Sequence, residues 1–191
     1  MGAALKPKLS LQDYLAWEDH QPNKNELVQG QIVSMVGARR VHGCVQANLA
    51  RHLGNQLAGT PCRVFIDNMK VKPAEDTLRY PDIFVTCDKA DLATELLFTA
   101  PTLVIEVLSP STQAYDRSIK FALYRRIPAL KEYILVDPDT RRVEAFRRGA
   151  DDVWSLYDMS DGDAMDAASV GCRVLLRDIF DGVTPAEDPG A

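Results

Sequence analysis

Long hydrophobic runs are missing from this sequence. No uninterrupted stretch approaches the roughly 18 apolar residues that a membrane-spanning helix needs. Residues 1–20 also contain no apolar core of signal-peptide length. We therefore expect a cytoplasmic protein with no membrane association.

Cysteine is sparse, and its four copies lie far apart. Cys44, Cys62, Cys87 and Cys172 form no C-x-x-C pair, which disfavours a structural zinc site and thioredoxin-like redox chemistry. Free cysteine usually behaves as a small hydrophobic residue. We interpret these side chains as reduced, mostly buried thiols, a usage that suits a reducing compartment.

Several motifs that bind nucleotides or metals are also missing. The sequence has no Walker phosphate loop and no dinucleotide glycine fingerprint, and the acidic stretch 158–166 lacks EF-hand spacing. A Cys–His nucleophile is excluded at His42 and Cys44, because residues two apart on a helix do not face each other. His42 remains a candidate for contacting a phosphate group.

Positive charge is in short supply. Lysine and arginine total 22 against 27 acidic residues, which gives a net charge of −5 and a pI near 5.2. This balance argues against a dedicated nucleic-acid coat protein, but a nuclease stays open because active-site carboxylates count until a cation neutralises them. Four arginine pairs are either solvated surface or phosphate contacts: 39–40, 125–126, 141–142 and 147–148.

The chain of 191 residues is 46% hydrophobic and 26% charged, values typical of a globular protein. This length suits one domain, which we place at 9–181, between a tail at 1–8 and a tail at 182–191 that we expect to be disordered. Strand and helix patterns alternate along the chain. The fold class is therefore α/β (α+β), with one mixed sheet flanked by helices and extra C-terminal strands.

The hydrophobic spacing predicts the individual elements. Apolar residues four apart indicate a helix over 42–57, and Ser10 with Asp13 resembles a capping box that opens a helix over 11–17. Gln29-Gly30 indicates the turn of a hairpin over 26–36. A third helix is predicted over 115–127, and strands over 63–71, 80–87, 102–108, 132–136, 142–146, 153–157 and 173–176.

Glu106 is the most informative single residue. It lies inside the apolar run TLVIEVL, whose pattern is typical of a buried central strand. An ionised carboxylate buried there is costly unless it has a partner. That partner is either a nearby arginine or lysine, which gives a purely structural role, or the cation of an active centre.

A second carboxylate, Asp82, stands near the start of the preceding strand. If the two strands are neighbours, Asp82 and Glu106 converge at one edge of the sheet. Two carboxylates in one site repel each other, and each resists ionising unless a cation is present. Mg²⁺ suits such a pair because it prefers oxygen ligands and usually keeps several waters.

The helix after the Glu106 strand supplies a candidate amine. Asp116, Lys120 and Tyr124 are spaced by four and share one helix face. Lys120 can then reach back toward the carboxylates, where an ammonium orients water or stabilises charge on a phosphoryl group. The alternative is an Asp116–Lys120 surface pair, worth only about 0.3–0.5 kcal/mol.

These motifs resemble a known family. The strings RYPDIFV, PTLVIEVLSPST, D-x-x-x-K-x-x-x-Y and EYILVD, together with the upstream NELVQGQIVSM, are similar to the Uma-type family, whose members are proposed restriction endonucleases. The resemblance covers residues 9–176. It implies the restriction-endonuclease-like fold of the PD-(D/E)XK nuclease superfamily, with metal-dependent hydrolysis of phosphodiesters.

The resemblance also implies roles for particular residues. Asp82 and Glu106 match the acidic pair that binds metal, and Lys120 matches the catalytic lysine, which in most of the superfamily stands two residues after the glutamate, where this chain has Leu108. Glu26 matches an upstream acid, and it either reaches the metal through water or is a solvated side chain at a strand end. Asp116 either holds Lys120 or caps its helix.

We thus expect a Mg²⁺-dependent endonuclease that accepts Mn²⁺ as a substitute, acts on DNA and forms a homodimer by analogy with the superfamily. Its predicted catalytic residues are Asp82, Glu106 and Lys120, supported by Asp116, Tyr124 and His42, with Glu26 as a further metal residue. Two alternatives stay open: a catalytically inactive nucleic-acid-binding or regulatory module, and a phosphoesterase for small substrates.

Overall fold

A mixed six-stranded sheet forms the centre of the protein. The computed structural model describes residues 8–35 and 37–184. The strand order is β11-β10-β9-β8-β6-β3, and β8 and β9 run parallel while the other neighbours are antiparallel. These strands are β3 (Arg63–Ile66), β6 (Ile83–Thr86), β8 (Leu103–Val107), β9 (Glu132–Asp137), β10 (Arg142–Arg148) and β11 (Trp154–Asp158).

A second sheet packs beside the first. Its order is β2-β1-β5-β4-β7, with β1 (Asn25–Val28), β2 (Gln31–Ser34), β4 (Lys70–Ala74), β5 (Thr77–Arg79) and β7 (Leu97–Phe98). The predicted hairpin is confirmed: Gln29 and Gly30 have φ angles of 51° and 81°, as a tight hairpin turn requires. A separate hairpin, β12 (Ala164–Ala167) and β13 (Cys172–Leu175), lies near the C-terminus.

The expectation of one sheet was too simple, because the predicted strand over 63–71 is broken. Asp67 and Asn68 have φ angles of 41° and 47°, in the left-handed region that ends an extended strand. The chain therefore leaves the six-stranded sheet after Ile66 and enters the five-stranded sheet at Lys70. Asp67 and Asn68 thus join the two sheets.

Helices cover both faces of the six-stranded sheet. Val45, Leu49 and Leu53 of α2 pack on one face, together with the C-terminal hairpin. Tyr124 of α4 packs on the other face against Tyr133 and neighbouring apolar side chains. The helices are α1 (Leu11–Glu18), α2 (Arg40–Gln56), α3 (Gln113–Tyr115), α4 (Phe121–Tyr124) and α5 (Leu176–Ile179), with short 3-10 turns at Asp91–Ala93 and Ala168–Val170. The mixed α+β class is confirmed.

The predicted tails, 1–8 and 182–191, are described by the structure only in part. Residues 1–7 and 185–191 lie outside the described residues. Val183, inside the predicted C-terminal tail, is buried in the core under α2, and its carbonyl accepts a hydrogen bond of 2.9 Å from Arg141. The described part of that tail therefore packs against the domain.

Across residues 8–35 and 37–184, no helix combines the length and the hydropathy needed to cross a bilayer.

The interpretation of four reduced thiols is wrong at two positions. Cys62 and Cys87 form a disulfide, while Cys44 and Cys172 carry free thiols. The bond follows from strand register. Arg63 of β3 pairs with Thr86 of β6, so the next residues along the two antiparallel strands, Cys62 and Cys87, lie opposite each other. The expectation of a reducing compartment rested on four free thiols and loses that support.

We predict that alkylation of the denatured, unreduced protein labels only Cys44 and Cys172, and that peptide mapping finds Cys62 linked to Cys87. Reduction should lower the free energy of unfolding by about 3 kcal/mol, because the bond closes a loop of 25 residues in the unfolded chain. A Cys62→Ser variant is the control, since it should leave Cys87 free for alkylation. Labelling of all four thiols in the unreduced protein would contradict the bond.

Candidate active site

Two neighbouring strands bring the acidic pair together. Ile83 pairs with Ile105, and the same antiparallel register continued by one residue sets Asp82 opposite Glu106. The side chain of Glu106 is 1% exposed and that of Asp82 is 23% exposed. The pair therefore joins a fully buried carboxylate to one that reaches solvent at the end of the strand.

Lys120 approaches this pair from the helical segment above the sheet. Its Nζ lies 2.7 Å from Glu106 Oε2 and 3.4 Å from Asp116 Oδ1. The segment is a π-helical turn, Asp116–Lys120, between α3 and α4, and not the continuous α-helix that the spacing of four predicted. Such wide turns occur preferentially at functional sites. The alternative of a surface Asp116–Lys120 pair is excluded, because Asp116 is buried and the side chain of Lys120 is only 13% exposed.

His42 reaches Asp82 from the opposite face of the sheet. The first turn of α2 places its Nε2 3.1 Å from Asp82 Oδ2, which also accepts a 2.8 Å hydrogen bond from the Val107 amide. Gln46, one turn further along α2, donates to the Asp82 carbonyl at 2.7 Å. Asp82 is thus fixed by α2 and by the end of β8.

Glu26 lies in an ion pair. One of its oxygens accepts from Arg79, and the other accepts a 3.2 Å hydrogen bond from the Tyr80 amide. Both oxygens of the predicted metal residue therefore have protein donors. Its reaching a metal through water stays a prediction. Tyr124 is fully buried, and its hydroxyl has no hydrogen-bond partner among the described residues.

Sequence reasoning missed Arg79, the largest of the fully buried side chains. Its guanidinium pairs with Glu26, donates to the Tyr115 hydroxyl at 2.7 Å and lies 5.1 Å from the centre of the Tyr115 ring. The only signal in the sequence was its position three residues before Asp82, and a charged residue beside a turn is usually exposed. Arg79 connects the five-stranded sheet to the residue that precedes the π turn.

Burial and charge shift the pKa values of this cluster in different directions. Complete burial raises the pKa of Glu106 well above its usual range, Lys120 opposes the shift, and the charge of Asp82 adds to it. Burial alone would lower the pKa of Lys120, but Glu106, Glu26 and Asp116 outweigh it and raise that pKa. Lys120 therefore stays protonated, and Glu106 is the carboxyl that most readily holds a proton.

The contact between Asp82 and His42 lowers the pKa of the carboxyl group and raises the pKa of the imidazole. Burial would raise the pKa of Asp82, but the His42 hydrogen bond and the charge of Lys120 bring it below its usual value. Burial would likewise lower the pKa of His42, yet the hydrogen bond and charge of Asp82 raise it. Asp82 is thus ionised at neutral pH, and His42 is protonated more readily than a free imidazole.

The donor set fits a divalent cation bound with several waters. Glu106 Oε1 is buried and has no hydrogen-bond partner in the described part of the chain. While Oε2 contacts Lys120, this second oxygen is therefore available to bind a cation. The carboxyl groups of Asp82, Glu106 and Asp116 lie around Lys120 and His42, and a bound cation would favour the ionised form of Glu106 that burial disfavours. Within 8–35 and 37–184, no group of three or more histidine, cysteine or acidic side chains has ligand geometry. Two carboxylates with waters match Mg²⁺ better than a closed protein cage.

Comparison with known proteins places the chain in a family. Residues 11–172 match the family model described as "Uma2: Putative restriction endonuclease". The chain belongs to the Uma2 family. Two uncharacterized Synechocystis proteins are similar to it. The protein slr1290 is 35% identical, over 93% of this chain and 94% of slr1290. The protein sll1609 is 32% identical, over 79% of this chain and 87% of sll1609.

A solved structure shares the fold of this Uma2 member. It is a crystal structure from Anabaena variabilis, described as a "putative nuclease belonging to DUF820", with a TM-score of 0.76 and 17% sequence identity. The alignment covers 92% of this chain and 99% of that one. At this identity the likeness establishes the shared architecture alone.

We predict that His42 stabilises the metal-free protein in a pH-dependent way. Its folded pKa is raised above 6.5, so its contribution should be fully present below pH 6.5 and should be lost as the pH rises through the folded pKa. Urea unfolding with a chelator should therefore show a larger destabilisation by His42→Gln at pH 6 than at pH 9. His52→Gln, on the same helix, is the matched control. A difference that grows with pH would reverse the assignment.

Proposed function

We propose that this protein is a Mg²⁺-dependent endonuclease that hydrolyses phosphodiester bonds in DNA. Membership of a family described as restriction endonucleases supports the reaction class. The observation that carries the proposal is the buried contact of 2.7 Å between Lys120 Nζ and Glu106 Oε2, with Asp82 held beside it at the end of the neighbouring strand. These are the three groups that the resemblance to the PD-(D/E)XK superfamily implies for metal-dependent phosphodiester cleavage.

Asp82 and Glu106 are the residues that would hold the cation. Asp82 uses Oδ2 for the Val107 amide and His42, so Oδ1 is the oxygen left for a ligand role. Glu106 uses Oε2 for Lys120, and Oε1 has no partner among the described residues. When bound, the cation supplies acidity to a coordinated water and stabilises charge on the scissile phosphate.

Lys120 performs the remaining electrostatic work. Its ammonium stays protonated, and its contacts with Glu106 and Asp116 hold it beside the acidic pair. A preorganised cation there stabilises the negative charge that develops on a phosphoryl oxygen without reorganising during the reaction. A contact of His42 with a phosphate group stays a prediction, because its Nε2 contacts Asp82 and its Nδ1 is buried.

We predict that DNA cleavage requires Mg²⁺ or Mn²⁺ and falls at least about a hundredfold in Glu106→Gln and in Lys120→Met, because each removes a group that stabilises the transition state. The assay follows nicking of a supercoiled plasmid across a metal titration. Glu132→Gln is the matched control. Glu132, like Glu106, is a buried strand glutamate in an ion pair, here with Arg147, but it begins β9 and pairs with Leu103 at the far end of β8 from the candidate site. Cleavage that survives Glu106→Gln combined with Lys120→Met would reject this site.

We also predict metal binding in the absence of substrate. Saturating Mn²⁺ or Mg²⁺ should raise the melting temperature of the wild-type protein, because a ligand that binds only the folded state stabilises it by mass action. Asp82→Asn should abolish the shift. Asp139→Asn is the matched control and should keep it, because Asp139 lies in a turn, is 23% exposed like Asp82, and pairs with Arg39. An equal shift in both variants would place the ion elsewhere.

A non-catalytic nucleic-acid-binding or regulatory module is the alternative function. It predicts DNA binding with no cleavage under any divalent metal, and the net charge of −5 gives such binding no support. The expected homodimer is part of the endonuclease proposal by analogy. Light scattering during size-exclusion chromatography measures it, and a monomer at micromolar concentration would contradict it.

A further inference from the structure

Arg79 is a charged side chain with no solvent exposure at all. Taking a guanidinium out of water costs several kcal/mol unless its partners are well placed. The structure provides Glu26 as a counter-ion on β1 and the hydroxyl of Tyr115 as an acceptor. Such a costly group next to the candidate site calls for a role that a hydrophobic residue could not fill.

The contacts of Arg79 lead directly to the π turn. Tyr115, which accepts from Arg79 Nη2 at 2.7 Å, is the last residue before the turn begins. The carbonyl of the next residue, Asp116, accepts a 3.0 Å hydrogen bond from the Tyr133 hydroxyl on β9. Lys120 is the last residue of the same turn, and its Nζ reaches Glu106. The start of the turn is therefore anchored at two points, and its end carries the amine.

We propose that Arg79 is a positioning residue that acts through Tyr115 to fix the π turn, and thereby directs Lys120 at Glu106. Glu26 serves as the counter-ion of Arg79 through Oε2, while its Oε1 accepts from the Tyr80 amide. The inference rests on the proposed function for its catalytic consequence. Its structural part, the anchoring of the turn, stands independently of cleavage.

The geometry requires arginine rather than lysine. Arg79 contacts Glu26 through Nη1 and Tyr115 through Nη2, and its planar face lies over the Tyr115 ring. A guanidinium offers this rigid fork and flat surface, while an ammonium is a single point charge. Arg79→Lys keeps the charge that Glu26 needs but loses the second anchor.

The direct experiment is amide hydrogen exchange on the full chain with Tyr115→Phe. This variant removes the hydroxyl and retains the ring, and we expect about tenfold faster exchange over residues 116–120, because a hydrogen bond to a charged group is lost. Tyr157→Phe is the matched control, since Tyr157 also lies under an arginine, 4.6 Å from Arg147, on the distant edge strand β11. Unchanged exchange over 116–120 in a folded Tyr115→Phe protein overturns the proposal.

Kinetics separate positioning from simple destabilisation. Tyr115→Phe and Arg79→Lys should each lower kcat about tenfold, with an unchanged KM for DNA and an unchanged half-saturating Mg²⁺ concentration, because an amine that is no longer directed affects only the transition state. A changed KM with constant kcat would overturn the role. If the wild-type protein cleaves no DNA, the proposed function fails, while hydrogen exchange still decides the anchoring.

Glu26→Gln distinguishes the counter-ion role from a role at the metal. If Glu26 is a counter-ion, the Glu26→Gln substitution should leave the half-saturating Mg²⁺ concentration unchanged. The effects of Glu26→Gln and Arg79→Lys on kcat should then be strongly non-additive, since both substitutions act on one ion pair. A several-fold weaker response to Mg²⁺, with additive effects on kcat, would instead assign Glu26 to the cation and contradict this part of the proposal.

Discussion

The ion pair between Lys120 and Glu106 is the interaction on which the candidate site depends. Glu106 lies in a central strand between neighbours on both sides, where an ionised carboxylate without a partner is too costly to keep. A single amine makes that position tolerable. Delivering the amine requires the helical segment to widen into a π turn, and holding the turn requires Tyr133 and the buried Arg79.

The acidic pair and the lysine could be predicted from the sequence because each carries a local signal. A charged residue inside an apolar run marks Glu106, and the break before the preceding strand marks Asp82. A lysine on the next helical pattern completes the set. The π turn had no such signal: its i→i+5 geometry depends on anchors from β5 and β9, which are remote in the chain. The role of Arg79 was hidden for the same reason.

The fold class, the hairpin at Gln29-Gly30 and the long α2 helix followed from periodicity and turn residues. The disulfide did not, because cysteines 25 residues apart meet only when β3 and β6 pair in one particular register. The division into two sheets was also missed. Asp67 and Asn68 are residue types that tolerate left-handed φ, and the prediction of one continuous strand over 63–71 passed over this turn signal.

Two main-chain donors hold Asp82 in addition to the side chains of His42 and Gln46. The Val107 amide donates to its carboxylate, and the Asp67 amide donates to its carbonyl at 3.1 Å. A backbone donor survives any replacement of its side chain except by proline, which has no amide hydrogen. Either side chain can therefore change without removing the hydrogen bond, provided that the residue at 67 tolerates a left-handed φ and the residue at 107 fits the core. Diverged relatives are better compared by strand register around this aspartate than by residue identity beside it.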